Sequence, residues 1–159
     1  MKQISKGKKS EALFEKTASD YNFKAIKSTI SQDKLHVDYK IYNSKGFSKT
    51  VDVKSMSKIP NHLIVELVNN WSYKGWLYSQ TNLIALYTTS SFNIYSLPKL
   101  QDYIKNKNIN INDWHCSRTD WKPYIVYSRR EMAYNDKWIL VPLVDIEQCL
   151  VTKWSIKND

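Results

Sequence analysis

The chain has 159 residues, of which 42% are hydrophobic and 25% charged, a composition that excludes disordered and fibrous classes and suits one globular domain with a core of its own. No apolar run approaches the roughly 18 residues of a membrane-crossing helix, which sets aside an integral membrane protein of the helical kind. The formal net charge of +9 favours a polyanionic partner, chiefly nucleic acid, although a Lys-, Asn-, Ile- and Tyr-rich coding bias produces the same surplus.

The N-terminus, "MKQISKGKKSEALF", is basic but has no apolar core or small-residue cleavage site behind it, so it does not read as a secretory signal. A soluble, intracellular protein is expected. Residues 10–22, "SEALFEKTASDYN", predict a helix: Ser10 as N-cap, Glu11 in the first turn against the helix dipole, and Leu13, Phe14 and Ala18 as an apolar stripe. Next, "LHVDYKIY" (35–42) alternates, with Leu35, Val37, Tyr39 and Ile41 on one face of a strand and His36, Asp38, Lys40 and Tyr42 on the other. A turn with Gly46 leads into a second strand, "KTVDVKSM" (49–56), on which Asp52 and Lys54 share a face.

"HLIVELV" (62–68) is apolar on both faces and predicts a central, buried strand. Glu66 inside it needs a cation, a donor or a metal, because an unpaired buried carboxylate is expensive. It is either the partner of a nearby Lys or Arg or an accessory ligand on a strand beside Asp52. "NNWSYKGWLYSQTN" (69–82) interleaves Trp71, Tyr73, Trp76 and Tyr78 with Lys74, a pattern that packs on the body of a fold or stacks on bases.

Strands are predicted at "TNLIALYTT" and "FNIYSL", and a helix from Pro98, where a missing N–H is harmless. A hairpin from "KPYIVYSR" and "DKWILVPL" and a short helix at "VDIEQCLV" complete the chain. The order predicts a mixed α/β (α+β) single domain, a central mixed sheet flanked by helices, and excludes a repeating βα pattern. All three arginines, Arg118, Arg129 and Arg130, fall with Lys122 in one region, and Arg is the better bidentate phosphate binder. Lys8 and Lys9 of "KGKK" form a second candidate phosphate contact or a frayed tail. Cys116 and Cys149 lack metal-ligand spacing and read as free thiols, and His36, His62 and His115 form no pattern. Glycine-rich phosphate loops and the G-x-S-x-G and H-E-x-x-H motifs do not occur, which sets aside the enzyme classes they mark.

Asp38, Asp52 and Lys54 form the inventory that phosphodiester hydrolysis requires. The anionic diester repels a nucleophile, so carboxylates hold a divalent cation and a lysine positions water or stabilises the oxyanion. If the polar faces of the two strands coincide, the three groups converge, with Glu11 supplied by the helix. "GKKSE" at 7–11, then "VDY" around Asp38, then "VDVKS" at 51–55 resembles the PD-(D/E)XK nuclease superfamily, and is particularly similar to Holliday junction resolvases and small phage relatives. Val37 stands where the family name has proline, and Asp52 where glutamate is more frequent.

The resemblance covers residues 7–68 well and the rest in outline. It implies a restriction-endonuclease-like core and a DNA endonuclease that uses Mg2+ or Mn2+. By position, Asp38, Asp52 and the Val53 carbonyl would be metal ligands, Glu11 a ligand directly or through water, and Lys54 the catalytic lysine. It also implies action on branched or structured DNA and a possible homodimer. A non-catalytic nucleic-acid-binding module on the same fold remains the alternative.

Overall fold

The computed structural model describes residues 6–29, 31, 35–56, 58–69, 73–116, 120–128 and 135–157. It is a mixed α+β protein with two mixed sheets, and the chain forms two compact units, each assembled from separated segments. Residues 1–56, 80–97 and 150–159 make the first, and residues 57–79 and 98–149 the second.

The first unit opens with helix α1 (Lys6–Asp20), which starts four residues before the predicted N-cap. Ser10 therefore lies inside the helix, and its hydroxyl bonds that of Ser55 at 2.7 Å instead of capping. Glu11 falls in the second turn rather than the first. The apolar stripe holds: Phe14 and Ala18 are buried and Leu13 packs beside them. Beyond the last residue of α1, Asp20, the chain turns at Asn22, which takes the left-handed conformation (φ 62°). Its N–H bonds the Ser19 carbonyl at 3.0 Å and that of Phe23 the Ala18 carbonyl at 2.9 Å, which closes the last turn.

Six strands follow in the order β1-β2-β3-β5-β6-β10. They are β1 (Lys24–Lys27), β2 (Tyr39–Tyr42), β3 (Ser48–Ser55), β5 (Leu83–Tyr87), β6 (Ser91–Ser96) and β10 (Leu150–Ser155). All neighbours run antiparallel except β3 and β5, which are parallel. The start of that parallel pair is pinned by Asn82, whose side-chain oxygen accepts the Thr50 N–H at 3.0 Å while its own N–H donates to Thr50 Oγ1 at 3.0 Å. One face of the sheet packs on α1 through Tyr39, Ile41, Val51, Ala85, Phe92 and Ile94. Trp154 of β10 stacks there on Phe14, Tyr21 and Phe23, with centroids 5.2–5.7 Å apart.

In the second unit β4 (His62–Val68), β9 (Lys137–Pro142), β8 (Val126–Ser128) and β7 (Trp114–His115) form a four-stranded sheet in that order, antiparallel except for β7 and β8. The predicted hairpin is the β8–β9 pair. Helix α2 (Leu97–Lys105) carries Pro98 in its first turn, as expected. The expected central strand is instead an edge strand: Leu63, Val65 and Leu67 are buried and Ile64 is exposed, so one face alone is covered. The predicted C-terminal helix is reduced to 3-10 turns over Leu143–Cys149, and the chain then enters β10.

Phe14 has no exposed surface and touches three aromatic rings, so Phe14→Ala removes a full core side chain. It is expected to cost about 3–5 kcal/mol in urea unfolding, against less than about 1 kcal/mol for the exposed Lys8→Ala.

Candidate functional site

Strand β3 presents Val51 and Val53 to the core beneath α1, so Asp52 and Lys54 project from the opposite face. Across the ladder their neighbours are Ile84 and Leu86, both fully buried. Asp52 itself is only 2% exposed, and a carboxylate in such surroundings needs a cation. Lys54 provides one, with its Nζ 2.9 Å from Asp52 Oδ2.

Asp38 reaches the same place by a route that alternation does not predict. The strand begins only at Tyr39, because His36 sits in the left-handed region (φ 58°) and interrupts residues 35–38. Asp38 therefore stands at the entrance to β2 rather than on a strand face. Its N–H donates to the Val51 carbonyl at 2.9 Å, and its carboxylate accepts the Val53 N–H at 2.7 Å. The side chain takes the place of a ladder acceptor that the shortened strand no longer supplies.

Burial is the largest influence on Asp38 and Asp52 the next; together they push its carboxyl up to about 7 from the ordinary 3.8. The Val53 N–H and Lys54 pull the other way, and Glu11 adds the smallest push. The structure thus brings Asp38, Asp52, Lys54 and the Val53 backbone together.

Glu11 is arranged differently. It lies on the α1 side of the sheet, where Lys27 Nζ holds its Oε2 at 2.9 Å and the Tyr39 hydroxyl donates to its backbone carbonyl at 3.1 Å. The hydrogen bond from Lys27 to the Glu11 carboxylate, more than any other influence, raises the Lys27 pKa. Lys27 was not singled out in the sequence. Its only signal is the Lys24-Ala25-Ile26-Lys27 run ahead of β2, which pairs Lys27 with Tyr39, one residue from Asp38. Among the described residues no group of three or more His, Cys, Asp or Glu side chains is arranged to hold a metal ion. The hard oxygen donors near one another are the Asp38 and Asp52 carboxylates, close enough for the charge of one to act on the other, a pair of the kind magnesium accepts alongside further oxygens, waters and substrate.

Glu66 does not stand beside Asp52. The strand next to β3 is β5, while β4 belongs to the other sheet, where Glu66 pairs in register with Trp138 of β9. The expected position on a strand beside Asp52 does not hold, because the chain leaves the first sheet after β3. Lys8 and Lys9 are exposed on α1, helical rather than frayed. Lys122 faces Asp120 at 3.6 Å, both well exposed, a pairing of little energetic weight. Arg118, Arg129, Arg130 and Trp71 lie outside the described residues. Cys116 and Cys149 are free, as expected. Among the described residues no helix is long and apolar enough to cross a membrane. Comparison with protein-family models, curated proteins and solved structures finds no match to this chain.

The folded chain keeps the Asp38 proton up to about pH 7, whereas the unfolded chain releases it near 3.8. Between those values the folded state binds the extra proton, so this group's contribution to stability falls as pH rises from about 4 to 7. Asp38→Asn keeps an oxygen for the Val53 N–H and removes the titration. In EDTA its melting temperature is expected to exceed that of the wild type above pH 7 and to converge with it near pH 4. A constant difference across that range would contradict the assignment.

Proposed function

We propose that this chain is a metal-dependent endonuclease hydrolysing phosphodiester bonds in DNA, with branched or structured DNA as its substrate class. The observation that carries the proposal is the half-buried Asp38 carboxylate, tied to the Val53 N–H, beside the buried Asp52 and its partner Lys54. A restriction-endonuclease-like core is part of the same proposal. It is supported by a mixed sheet in which the strand bearing D-x-K follows the strand introduced by Asp38, with α1 packed over both.

Asp38, Asp52 and the Val53 carbonyl would hold Mg2+ or Mn2+, which when bound lowers the pKa of a coordinated water and offsets charge gathering at phosphorus. Burial raises the cost of two adjacent carboxylates, and a divalent cation relieves it. Lys54 has three donors on a stem long enough to leave Asp52 for a phosphate oxygen. There it aligns the diester and stabilises the negative charge that grows on the oxygens during attack. Asp38, tied at one oxygen to the Val53 N–H, orients the site. Glu11 takes a lesser part, since Lys27 holds its carboxylate on the other side of the sheet. One such site cuts one strand, so paired cuts at a junction would need a symmetric dimer.

The Glu11–Lys27 pairing favours a second reading, a nucleic-acid-binding module of the same fold without chemistry. Nicking of supercoiled plasmid separates the two. With Mg2+ or Mn2+ the wild type is expected to nick, and EDTA to stop it. Lys54→Ala is expected to slow nicking by about 100-fold or more, while DNA affinity in EDTA changes only by what one charge contributes. Asp52→Asn should abolish nicking, and Glu11→Gln should slow it less than either. Nicking that survives EDTA, or is untouched by Lys54→Ala, would overturn the endonuclease assignment.

A further inference from the structure

The second unit contains a groove of about 460 Å³ that the carboxylate pair does not account for. Its floor is apolar, made by Leu67 of β4, Leu77 and Ile104 of α2, all nearly fully buried. Tyr78 forms part of the wall with almost half of its surface exposed, and Lys74 and Lys105 line it as exposed cations.

The walls are held in place before any ligand arrives. Gln101 Nε2 donates to the Leu77 carbonyl at 2.7 Å and to the Ser79 carbonyl at 3.2 Å, which ties α2 to the 3-10 turn Trp76–Tyr78. Lys74 bridges to Val68, and the Gly75 N–H bonds the Leu67 carbonyl at 2.9 Å. Gly75 packs so tightly on β4 that a Cβ there would lie 2.2 Å from the Glu66 carbonyl oxygen, so the turn carrying Lys74 requires glycine. A preformed concavity of this size, with an apolar floor and polar and charged groups around it, has the form of a small-ligand site.

We propose that this groove takes a nucleotide unit of single-stranded DNA, its base against Tyr78 over the apolar floor and its phosphates against Lys74 and Lys105. An apolar floor beside an exposed aromatic ring suits a flat base, and the two cations suit the backbone that carries it. Asp102 also lines the groove, so the margin is positive by one charge rather than two. That modest charge disfavours an acidic peptide, which would have little besides charge to hold it. The proposal shares with the endonuclease reading only the identity of the polymer; its residues and its test are separate.

The probe is a fluorescein-labelled oligo(dT) of about 12 nucleotides, titrated with the full chain in EDTA at several salt concentrations. The wild type is expected to bind it. Tyr78→Ala should weaken binding by about 5- to 100-fold, with Tyr78→Phe close to wild type because the ring persists. Lys74→Ala combined with Lys105→Ala should reduce the salt slope by about 1.4, the share of two single-strand phosphate contacts. Circular dichroism checks that each variant is folded. A wild type that does not bind, a Tyr78→Ala or double-lysine variant that binds as the wild type does, or equal displacement by poly-glutamate would overturn the proposal. A chain that nicks plasmid while its groove variants bind normally overturns the groove alone. A chain that never nicks but loses oligonucleotide affinity in Tyr78→Ala overturns the endonuclease alone.

Discussion

One hydrogen bond organises the candidate site, the 2.7 Å contact from the Val53 N–H to the Asp38 carboxylate. It exists because β2 begins two residues too late to offer Val53 a backbone acceptor, and a buried N–H must find one. Meeting that need with a side chain brings a carboxylate up against the strand that already carries Asp52. Two acids are then held together where water is scarce, and the cost appears as an Asp38 carboxyl that stays protonated up to about pH 7. Lys54 offsets part of that cost from the face of Asp52. A bond that completes a sheet thus also creates a place where a divalent cation would be welcome.

The same sheet separates the helix's acid from the other two. Val51 and Val53 face α1, so Asp52 and Lys54 must face away from it, and Glu11 meets Lys27 on the helix side. Asp38, lying at the strand's entrance between the two faces, responds to both carboxylates, strongly to Asp52 and weakly to Glu11. On the proposed endonuclease reading the acids have unequal parts: Asp38 and Asp52 would carry the chemistry, and Glu11 with Lys27 would adjust it. The Tyr39 hydroxyl, bonded to the Glu11 backbone, couples the position of the helix to the strand that follows Asp38.

Much of this was legible in the sequence where local chemistry decides the outcome. Phe14 and Ala18 declare the buried stripe of α1, and β3, β5, β6 and α2 follow from alternation, apolar runs and a first-turn proline. The pairing of Asp52 with Lys54 follows from period two alone. What failed depended on long-range contacts. His36 in a left-handed conformation shortens β2, and period two has no means of registering it. "HLIVELV" reads as central because all but two of its residues are apolar, yet its position in the sheet is set by which strand pairs with it. Glu66 was misplaced for the same reason. β10 carries a single buried anchor, Trp154, so its sequence shows no alternation to read.

The most direct test of the central claim, that Asp38 and Asp52 form a divalent-cation site, is calorimetric titration of Mn2+ into the protein at pH 8. The account predicts saturable binding by the wild type that is lost in Asp52→Asn and strongly weakened in Asp38→Asn, with both variants folded. Binding of equal affinity in the wild type and Asp52→Asn, or no saturable binding in any of the three, would contradict it.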